Sequence, residues 1–227
     1  MALQITEIFE SLQGESTHAG RPCVFVRLTG CNLRCAWCDT EYAFHGGRRM
    51  ERGEVLAAVA RFRAPLVEIT GGEPMLQAPE VIALSRELLA AGREVLIETS
   101  GERDLAGLPA GVIKIVDVKC PLSGEGGSFR LGNLALLTAR DEVKFVLAGR
   151  ADYEFARDFI ARHELARRTP HLHLSPAFRK DAAGARSAEQ CLLDPRELAA
   201  WMLADAVPAR LALQMHKFIW DPARHGV

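Results

Sequence analysis

Three cysteines form the part of the sequence best suited to chemistry. Cys31, Cys35 and Cys38 stand within eight residues in the pattern C-x3-C-x2-C. Thiolates bind iron–sulfur clusters, and three of them can hold three corners of a cubic cluster while the fourth iron stays open to a small molecule. Trp37, directly before the last cysteine, would limit water access, which is one control on reduction potential. The spacing therefore predicts an iron–sulfur centre that acts on a bound small molecule.

A structural zinc site is the main alternative. Such a site needs four ligands, usually in C-x2-C pairs that recur at a distance. The remaining cysteines, Cys23, Cys120 and Cys191, are scattered singly, and neither His18 nor His45 stands at a zinc-finger spacing. A ferredoxin would need a fourth cysteine for its cluster, and disulfides are not expected in a chain without an export signal. The cluster is therefore favoured over zinc.

Polar residues recur at every second position inside apolar segments that are typical of strands. These residues are Glu68 with Thr70, Glu98 with Ser100, Asp117 with Lys119, and the isolated Arg27. Period-two spacing puts each pair on one face of its strand, where charge is costly unless it is paired or bound. Two explanations stay open for each residue: internal ion pairs (Lys119 with Asp117 or Glu98, Arg27 with Glu15), or a charged ligand. For the whole set, a ligand inside a barrel is favoured.

Two short motifs add candidate ligand groups. Gly71-Gly72-Glu73-Pro74 follows a predicted strand, and its glycines would let a ligand approach the backbone closely while Glu73 accepts hydrogen bonds from an ammonium. A Gly-Gly pair alone is often just a tight turn. Asp39 and Thr40 follow the last cysteine and fit either a helix N-cap or oxygen ligation of Mg²⁺.

Composition limits the class of protein. The chain has 227 residues, 48% of them hydrophobic, and a formal net charge of -1. This predicts a single domain over 1–227 with one core, and the charge balance argues against a nucleic-acid footprint. No apolar segment reaches the ~18 residues of a membrane span. With no signal-peptide pattern at the N-terminus and six cysteines that we expect to be reduced, the sequence predicts a cytoplasmic protein.

Predicted strands and helices alternate along the chain, which favours β-α-β units and a parallel sheet. The helices are few, so we expect a partial, open α/β barrel. The predicted strands are Gln4–Glu10, Cys23–Thr29, Leu66–Thr70, Glu94–Ser100, Ile113–Lys119, Glu142–Leu147, His171–Ser175 and Arg210–Phe218. The predicted helices are Glu51–Phe62, Pro79–Ala91, Ala151–Leu165 and Pro195–Ala204.

Taken together, the cysteine loop and the Gly-Gly-Glu-Pro turn resemble the radical S-adenosylmethionine (SAM) superfamily. Longer blocks resemble one family within it, the 7-carboxy-7-deazaguanine synthases. These blocks are Glu7–Glu15, Gly20–Arg27, Gly30–Thr40, Thr70–Pro74, Glu98–Gly101 and Leu213–Phe218. They cover nearly the whole chain in the family's order. The resemblance implies a radical SAM-type barrel and a lyase that turns 6-carboxy-5,6,7,8-tetrahydropterin into 7-carboxy-7-deazaguanine with loss of ammonia, in queuosine and 7-deazapurine biosynthesis.

The resemblance also implies roles for individual residues. Cys31, Cys35 and Cys38 would bind a [4Fe-4S] cluster and Thr40 would bind Mg²⁺. SAM would contact Gly72, Glu73, Glu98, Ser100, Asp117, Lys119 and Ser175. The pterin would contact Leu12, Gln13, Gly14, Glu15, Arg27 and Thr70. No side chain would be a catalytic residue, because the radical is generated on SAM. The expected partners are a second copy of the chain in a homodimer and an external electron donor such as a flavodoxin or a ferredoxin.

Two rival functions are carried forward. A small radical SAM activase would make a glycyl radical on a partner protein and would need a surface groove for a peptide. The Gln13–Glu15 block and Arg27 suit a small carboxylate better. A non-catalytic zinc module is the rival from another class.

Overall fold

One open, nine-stranded sheet organises the protein. The computed structural model describes residues 2–180, 188–221 and 224–226. The strand order is β3-β1-β2-β4-β5-β6-β7-β8-β9. The strands are β1 (Ala2–Leu12), β2 (Pro22–Leu28), β3 (Arg48–Glu51), β4 (Leu66–Gly71), β5 (Glu94–Thr99), β6 (Ile113–Asp117), β7 (Glu142–Leu147), β8 (His171–Pro176) and β9 (Arg210–Leu211).

From β2 to β9 every neighbouring pair of strands is parallel. The helices are α1 (Arg52–Val59), α2 (Ala78–Ala90), α3 (Arg150–Arg162), α4 (Pro195–Ala204) and α5 (His216–Ile219). The α2 helix buries Val81, Leu84 and Leu88 in the main hydrophobic core. The predicted partial, open α/β barrel with few helices is confirmed. Within the described residues, no helix has the length and apolar character needed to cross a membrane.

The beginning of the sheet departs from the parallel pattern. β1 runs antiparallel to β2, and the short β3 runs antiparallel to β1 at the sheet edge. The strand β3 has no clear signal in the sequence and was not predicted, because only Met50 of its four residues is buried and an edge strand needs little apolar character. The predicted α1 is also too long, since Glu51 is its N-cap, in a capping box with Glu54.

The final predicted strand is wrong over most of its length. Only Arg210 and Leu211 pair with β8, and the chain then turns into α5. The turn is fixed by contacts with the loop after β1: the Met215 amide donates to the Gly14 carbonyl, and the Gln214 side chain donates to Glu15. Tertiary hydrogen bonds therefore override an apolar pattern that suits a strand.

Strand alternation divides the inner face of the sheet into layers. At the amino ends of the strands lies an apolar cluster of Cys23, Phe25, Leu66, Leu96, Ile113 and Ile115, with Phe9 packed against it. One step farther along the same faces, period-two spacing places Arg27, Glu68, Glu98, Asp117 and Lys144. The barrel thus has an apolar floor below a charged layer.

The loop between β1 and β2 is tied across the barrel to β7. Glu142, whose side chain is fully buried, accepts hydrogen bonds from the amide and hydroxyl of Thr17, at 2.9 Å and 2.6 Å from the nearer oxygens, and from His173 Nε2 at 2.7 Å. Burial raises the pKa of Glu142, but the hydrogen bonds from His173 and Thr17 outweigh it and leave the pKa lowered. This carboxylate holds the loop that begins at Gln13.

We expect Glu142→Ala to lower the free energy of unfolding by about 3 kcal/mol, because it leaves buried donors without an acceptor. Urea unfolding at pH 7 measures this. The exposed Glu154→Ala is the matched control, and we expect a change within about 0.5 kcal/mol. Because the folded pKa of Glu142 is lowered, the difference should fade as pH drops below about 4. Equal effects of the two substitutions would contradict the role of Glu142.

Candidate functional site

A cavity of about 240 Å³ opens at the carboxyl ends of the parallel strands and collects most of the predicted site residues. Ligand sites of α/β sheets lie at this edge. The predicted residues that line it are Cys31, Cys35, Cys38, Thr40, Gly72, Glu73, Glu98, Ser100, Asp117, Lys119, Leu12, Gln13, Gly14, Glu15, Arg27 and Thr70. Ser175 does not line it: on β8 its hydroxyl is buried and has no hydrogen-bond partner among the described residues.

The cysteine loop follows β2 and is held from two sides. The Gly30 amide donates to the Ala43 carbonyl, which closes the loop on itself. The loop after β6 supports its other face, since the Ala36 amide donates to the Ser123 carbonyl and the Arg34 amide donates to Glu125 at 2.6 Å. All three thiols are half-buried and reach the cavity, with Trp37 beside them.

The donor set fits an iron–sulfur cluster. Burial raises the pKa of all three thiols, that of Cys35 to about 11, and the nearby Lys119 ammonium opposes the shift at each. Cluster iron would supply the further positive charge that thiolates need. Within the described part, no group of three His, Cys, Asp or Glu side chains converges on a point for a single metal ion. A cluster does not require such convergence, because each thiolate binds a different iron.

The Gly-Gly-Glu-Pro turn presses its backbone against the cysteine loop. A Cβ atom at Gly72 would lie 2.1 Å from the Gly30 carbonyl oxygen and 2.9 Å from Cys31 Cβ, so only glycine fits. Glu73 is buried, and its carboxylate accepts four hydrogen bonds, at 2.7–3.0 Å, from the Met75 amide, the Thr99 hydroxyl, and the amide and hydroxyl of Ser100. The turn is therefore rigid and joins β4 to β5 beside the three thiols.

Lys144, which is not among the predicted site residues, is the central cation of the cavity. Its buried ammonium contacts Glu15, lies 2.6 Å from Glu98 and 3.9 Å from Asp117. Asp117 also pairs with Lys119 at 2.6 Å, as the ion-pair alternative anticipated. Burial lowers the pKa of Lys144, but the three carboxylates outweigh it and raise the pKa well above its ordinary value. The period-two pattern of β7, with Glu142 two positions earlier, is the signal that would have found it.

The loop after β1 lies across this layer and forms the other side of the cavity. The Gln13 side-chain oxygen accepts from the Glu15 amide, and its nitrogen donates to Glu68. Burial raises the pKa of Glu15, but Lys144, with help from His216 and Gln214, brings it down to about 2. A Cβ at Gly14 would lie 2.1 Å from the His216 ring, so α5 covers the loop directly.

Arg27 forms an internal ion pair and also faces the ligand cavity. Its Nε donates to Glu7 at 2.8 Å, not to Glu15 as the ion-pair alternative proposed, because Lys144 already holds Glu15. Glu7 also accepts from the Tyr42 hydroxyl at 2.7 Å, which fixes the guanidinium from one side. The Arg27 side chain still lines the cavity beside Thr70. Nη1 also donates to the Gly71 carbonyl in a long contact of 3.5 Å. Among the described residues Nη2 has no hydrogen-bond partner, so this nitrogen remains for an anion.

Asp39 and Thr40 sit at the cavity mouth. The Thr40 hydroxyl donates to Asp39 at 2.8 Å, and the other oxygen of Asp39 pairs with Lys217 at 2.5 Å. Neither residue caps a helix through its side chain, since the 3-10 turn that starts at Glu41 has no side-chain cap bond from Thr40. Hydroxyl and carboxylate oxygens are ligand types that Mg²⁺ accepts, and this ion takes few protein ligands and keeps water or substrate for the rest.

The comparisons with known proteins agree with this site. Residues 25–162 match the Radical SAM superfamily, and this span covers the cysteine loop and the Gly-Gly-Glu-Pro turn. The 7-carboxy-7-deazaguanine synthase of Koribacter versatilis is 60% identical over 227 residues, covering 99% of this chain and 100% of that protein. The synthase of Chlorobaculum tepidum is 41% identical over 228 residues, covering 99% and 97%.

Solved structures repeat the fold. QueE from Escherichia coli superposes with a TM-score of 0.70 at 26% identity, covering 95% of both chains. SuiB from Streptococcus suis, solved with its precursor peptide, reaches a TM-score of 0.54 at 11% identity over 82% of this chain and 46% of that one, and shares the fold alone. Similarity to named synthases extends over the full length of the chain, and the cavity holds the residues expected for them. The chain therefore belongs to the 7-carboxy-7-deazaguanine synthase family of radical SAM enzymes.

Proposed function

We propose that this protein converts 6-carboxy-5,6,7,8-tetrahydropterin to 7-carboxy-7-deazaguanine with loss of ammonia, as a step of queuosine and 7-deazapurine biosynthesis. The observation that carries the proposal is that one cavity joins the three thiols, the Gly72–Glu73 turn and the Gln13–Glu15 loop. The first two suit a cluster and a SAM molecule, and the third offers a separate polar wall for a second small molecule. Full-length similarity to proteins named for this activity supports it.

Each part of the cavity has a proposed task. Cys31, Cys35 and Cys38 hold the [4Fe-4S] cluster, and Gly72 and Glu73 bind the methionine end of SAM. The other residues proposed to contact SAM are Glu98, Ser100, Asp117 and Lys119, which line the cavity. The contact expected for Ser175 is not supported by this geometry, because Ser175 lies outside the lining. When bound, the cluster and SAM supply reductive cleavage of SAM and hydrogen-atom abstraction. The protein positions the reacting groups, and the half-buried cavity limits their contact with water.

The opposite wall is proposed to hold the pterin. Arg27 presents Nη2 to the substrate carboxylate, while Glu7 and the Gly71 carbonyl keep the side chain in place. Thr70 lies on the neighbouring strand at the same level, since Arg27 and Thr70 pair in register. Leu12, Gln13, Gly14 and Glu15 complete the proposed substrate contacts. Thr40, beside Asp39, would hold Mg²⁺ where the ion can also bind substrate oxygens.

Further proposals concern the setting of the enzyme. Reductive cleavage needs an electron from outside the chain, so we propose an external donor such as a flavodoxin or a ferredoxin. The six cysteines are free thiols, which suits a reducing cytoplasm. A homodimer and a single domain over 1–227 are proposed as well; one continuous sheet supports the latter. Light scattering of the purified protein measures the oligomeric state.

Anaerobic turnover tests the activity. Protein reconstituted with iron and sulfide is mixed with reductant, SAM, Mg²⁺ and 6-carboxytetrahydropterin, and we expect mass spectrometry to detect 7-carboxy-7-deazaguanine. Cys35→Ala should bind little iron and make no product, because the cluster loses one of three thiolates. Cys191→Ala, a buried cysteine outside the cavity lining, is the control and should match the parent protein.

Each other outcome is informative. If 5′-deoxyadenosine is detected without 7-carboxy-7-deazaguanine, the protein carries out radical SAM chemistry but does not use this pterin as its substrate. That result would favour the activase. Zinc without iron after anaerobic preparation would favour the zinc module.

Gly72→Ala tests the close packing of the turn. Because its Cβ would meet the Gly30 carbonyl and Cys31, we expect the cysteine loop to shift and both iron content and SAM affinity to fall at least tenfold. Gly53→Ala is the matched control: it lies in α1 with no atom within 4 Å of the new Cβ, and alanine favours helices by up to about 1 kcal/mol. Metal analysis and calorimetric SAM binding measure both. Normal SAM binding by Gly72→Ala would contradict the assignment.

Arg27→Ala should raise the KM for the pterin at least tenfold while slow, uncoupled SAM cleavage continues, because the proposed anion contact lies away from the cluster. Arg21→Ala is the control, since Arg21 pairs with Glu94 near the amino ends of the strands. Both rates come from the same anaerobic assay. An unchanged KM in Arg27→Ala would leave Arg27 as an internal partner of Glu7.

A further inference from the structure

Glu68 is a buried carboxyl group in the cavity wall for which the roles described above leave no function. It lies on β4, between the apolar floor and Thr70, and only 2% of the residue is exposed. Its Oε2 accepts a hydrogen bond from the Gln13 side-chain nitrogen. The orientation of that amide is fixed independently, because the other end of the Gln13 side chain accepts from the Glu15 backbone.

In the described part of the chain, no cation forms an ion pair with Glu68. The Lys144 ammonium is shared by Glu15, Glu98 and Asp117. Around Glu68 stand two ionisable acids, Glu98 on β5 and Glu15 on the loop, with Cys23 on β2 and Lys144 on β7. A second anion beside these carboxylates would be buried over an apolar floor, at high electrostatic cost.

The favourable state of Glu68 is therefore the neutral acid. Burial, and then the negative charge of Glu98, raise its pKa to about 8, although Gln13 and Lys144 oppose the shift. Glu98 is also shifted upward by burial, but its anion has the Lys144 ammonium at 2.6 Å, so the proton belongs on Glu68. A neutral carboxyl has one O–H donor in addition to its acceptors.

The direction of that donor follows from the contacts. Oε2 already accepts from the Gln13 side chain. Oε1 has no hydrogen-bond partner among the described residues, and Glu68 lines the cavity, so the free oxygen can carry the proton toward a ligand there. We propose that Glu68 is a substrate-recognition residue that donates its carboxyl O–H to a hydrogen-bond acceptor of the bound pterin, a ring carbonyl oxygen or a ring nitrogen. This inference rests on the proposed function and adds to it a neutral donor in the cavity wall, directly above the apolar floor.

Equilibrium binding tests it separately from turnover. The probe is 6-carboxytetrahydropterin, titrated anaerobically by calorimetry into holoenzyme that contains the cluster and SAM but no reductant, from pH 6.5 to 9. Glu68→Gln keeps one acceptor and one donor, so its Kd at pH 7 should lie within about threefold of the parent value. Glu68→Leu loses the donor and should bind at least tenfold more weakly.

The pH dependence separates recognition from positioning. Because the folded pKa of Glu68 is raised, the O–H donor is present below about pH 8 and lost above it. The Kd ratio of the parent protein to Glu68→Gln should therefore rise above pH 8, and taking the ratio cancels titration of the pterin itself. A flat ratio would mean that Glu68 only orients Gln13, because an ionised carboxylate accepts from Gln13 at least as well, and would overturn the proposal.

Two further outcomes would also overturn it. If Glu68→Gln binds the pterin as weakly as Glu68→Leu does, the site needs an anionic acceptor at this position. If the Kd of Glu68→Leu equals that of the parent protein, Glu68 makes no contact with the pterin. Glu80→Gln is the control: it removes a buried carboxylate paired with Arg52, outside the cavity lining, and should leave Kd and its pH profile unchanged. If the parent protein neither binds nor converts the pterin, the proposed function fails instead, whatever the variants do.

Discussion

The charged layer of the barrel depends on one buried ammonium. Lys144 contacts Glu15 and Glu98 and faces Asp117, so a single cation ties β7 to β5, to β6 and to the loop after β1. Removing charges from water is costly, and a buried ion pair is tolerated only when its geometry and its remaining hydrogen bonds are good. Three acidic side chains are thereby held at fixed positions in the wall of the cavity.

The layers of the barrel follow from strand alternation and from position along each strand. Near the amino ends, inward residues are apolar and form a floor; in the middle they are charged; at the carboxyl ends, glycines and cysteines let backbone and ligand approach closely. A small hydrophobic ligand would need no charged layer, and a solvent-filled channel would need no floor. An apolar layer that closes one end of the barrel, with charged residues above it, is therefore typical of a pocket for polar ligands.

Much of this was predictable, for identifiable reasons. Long apolar strands and the amphipathic α2 have strong periodicity, so the parallel sheet was predictable. The helix α4 has the predicted bounds, and the Asp194 side chain caps it by accepting from the Arg196 amide. The three thiols and Gly72 carry their chemistry in residue type and local spacing. The path after Leu211 was not predictable, because it depends on the hydrogen bonds of Gln214 and Met215 to a loop two hundred residues earlier.

The partners of the buried charges were also not predictable from the sequence. Residue type indicated that Arg27 and Glu15 needed partners, but the choice between Glu7, Glu15 and Lys144 depends on which strands are neighbours and in what register. β1 pairs with β2 so that Glu7 stands opposite Arg27, a consequence of the antiparallel start of the sheet that the parallel pattern concealed. A sequence reports that a buried charge must be balanced, and only the assembled sheet identifies what balances it.

The electrostatic network also joins the two halves of the site. Glu15, on the proposed pterin wall, meets Lys144; Lys144 faces Asp117; and Asp117 holds Lys119, whose ammonium acts on the pKa of Cys35. Each link lies in a poorly solvated interior, where charges interact more strongly than at a surface. A change of charge at either end therefore alters the ionisation of groups along the chain, since coupled groups share their protons. Because a cluster changes charge when it takes up an electron, the side chains that would hold the substrate belong to the same electrostatic system as the thiols.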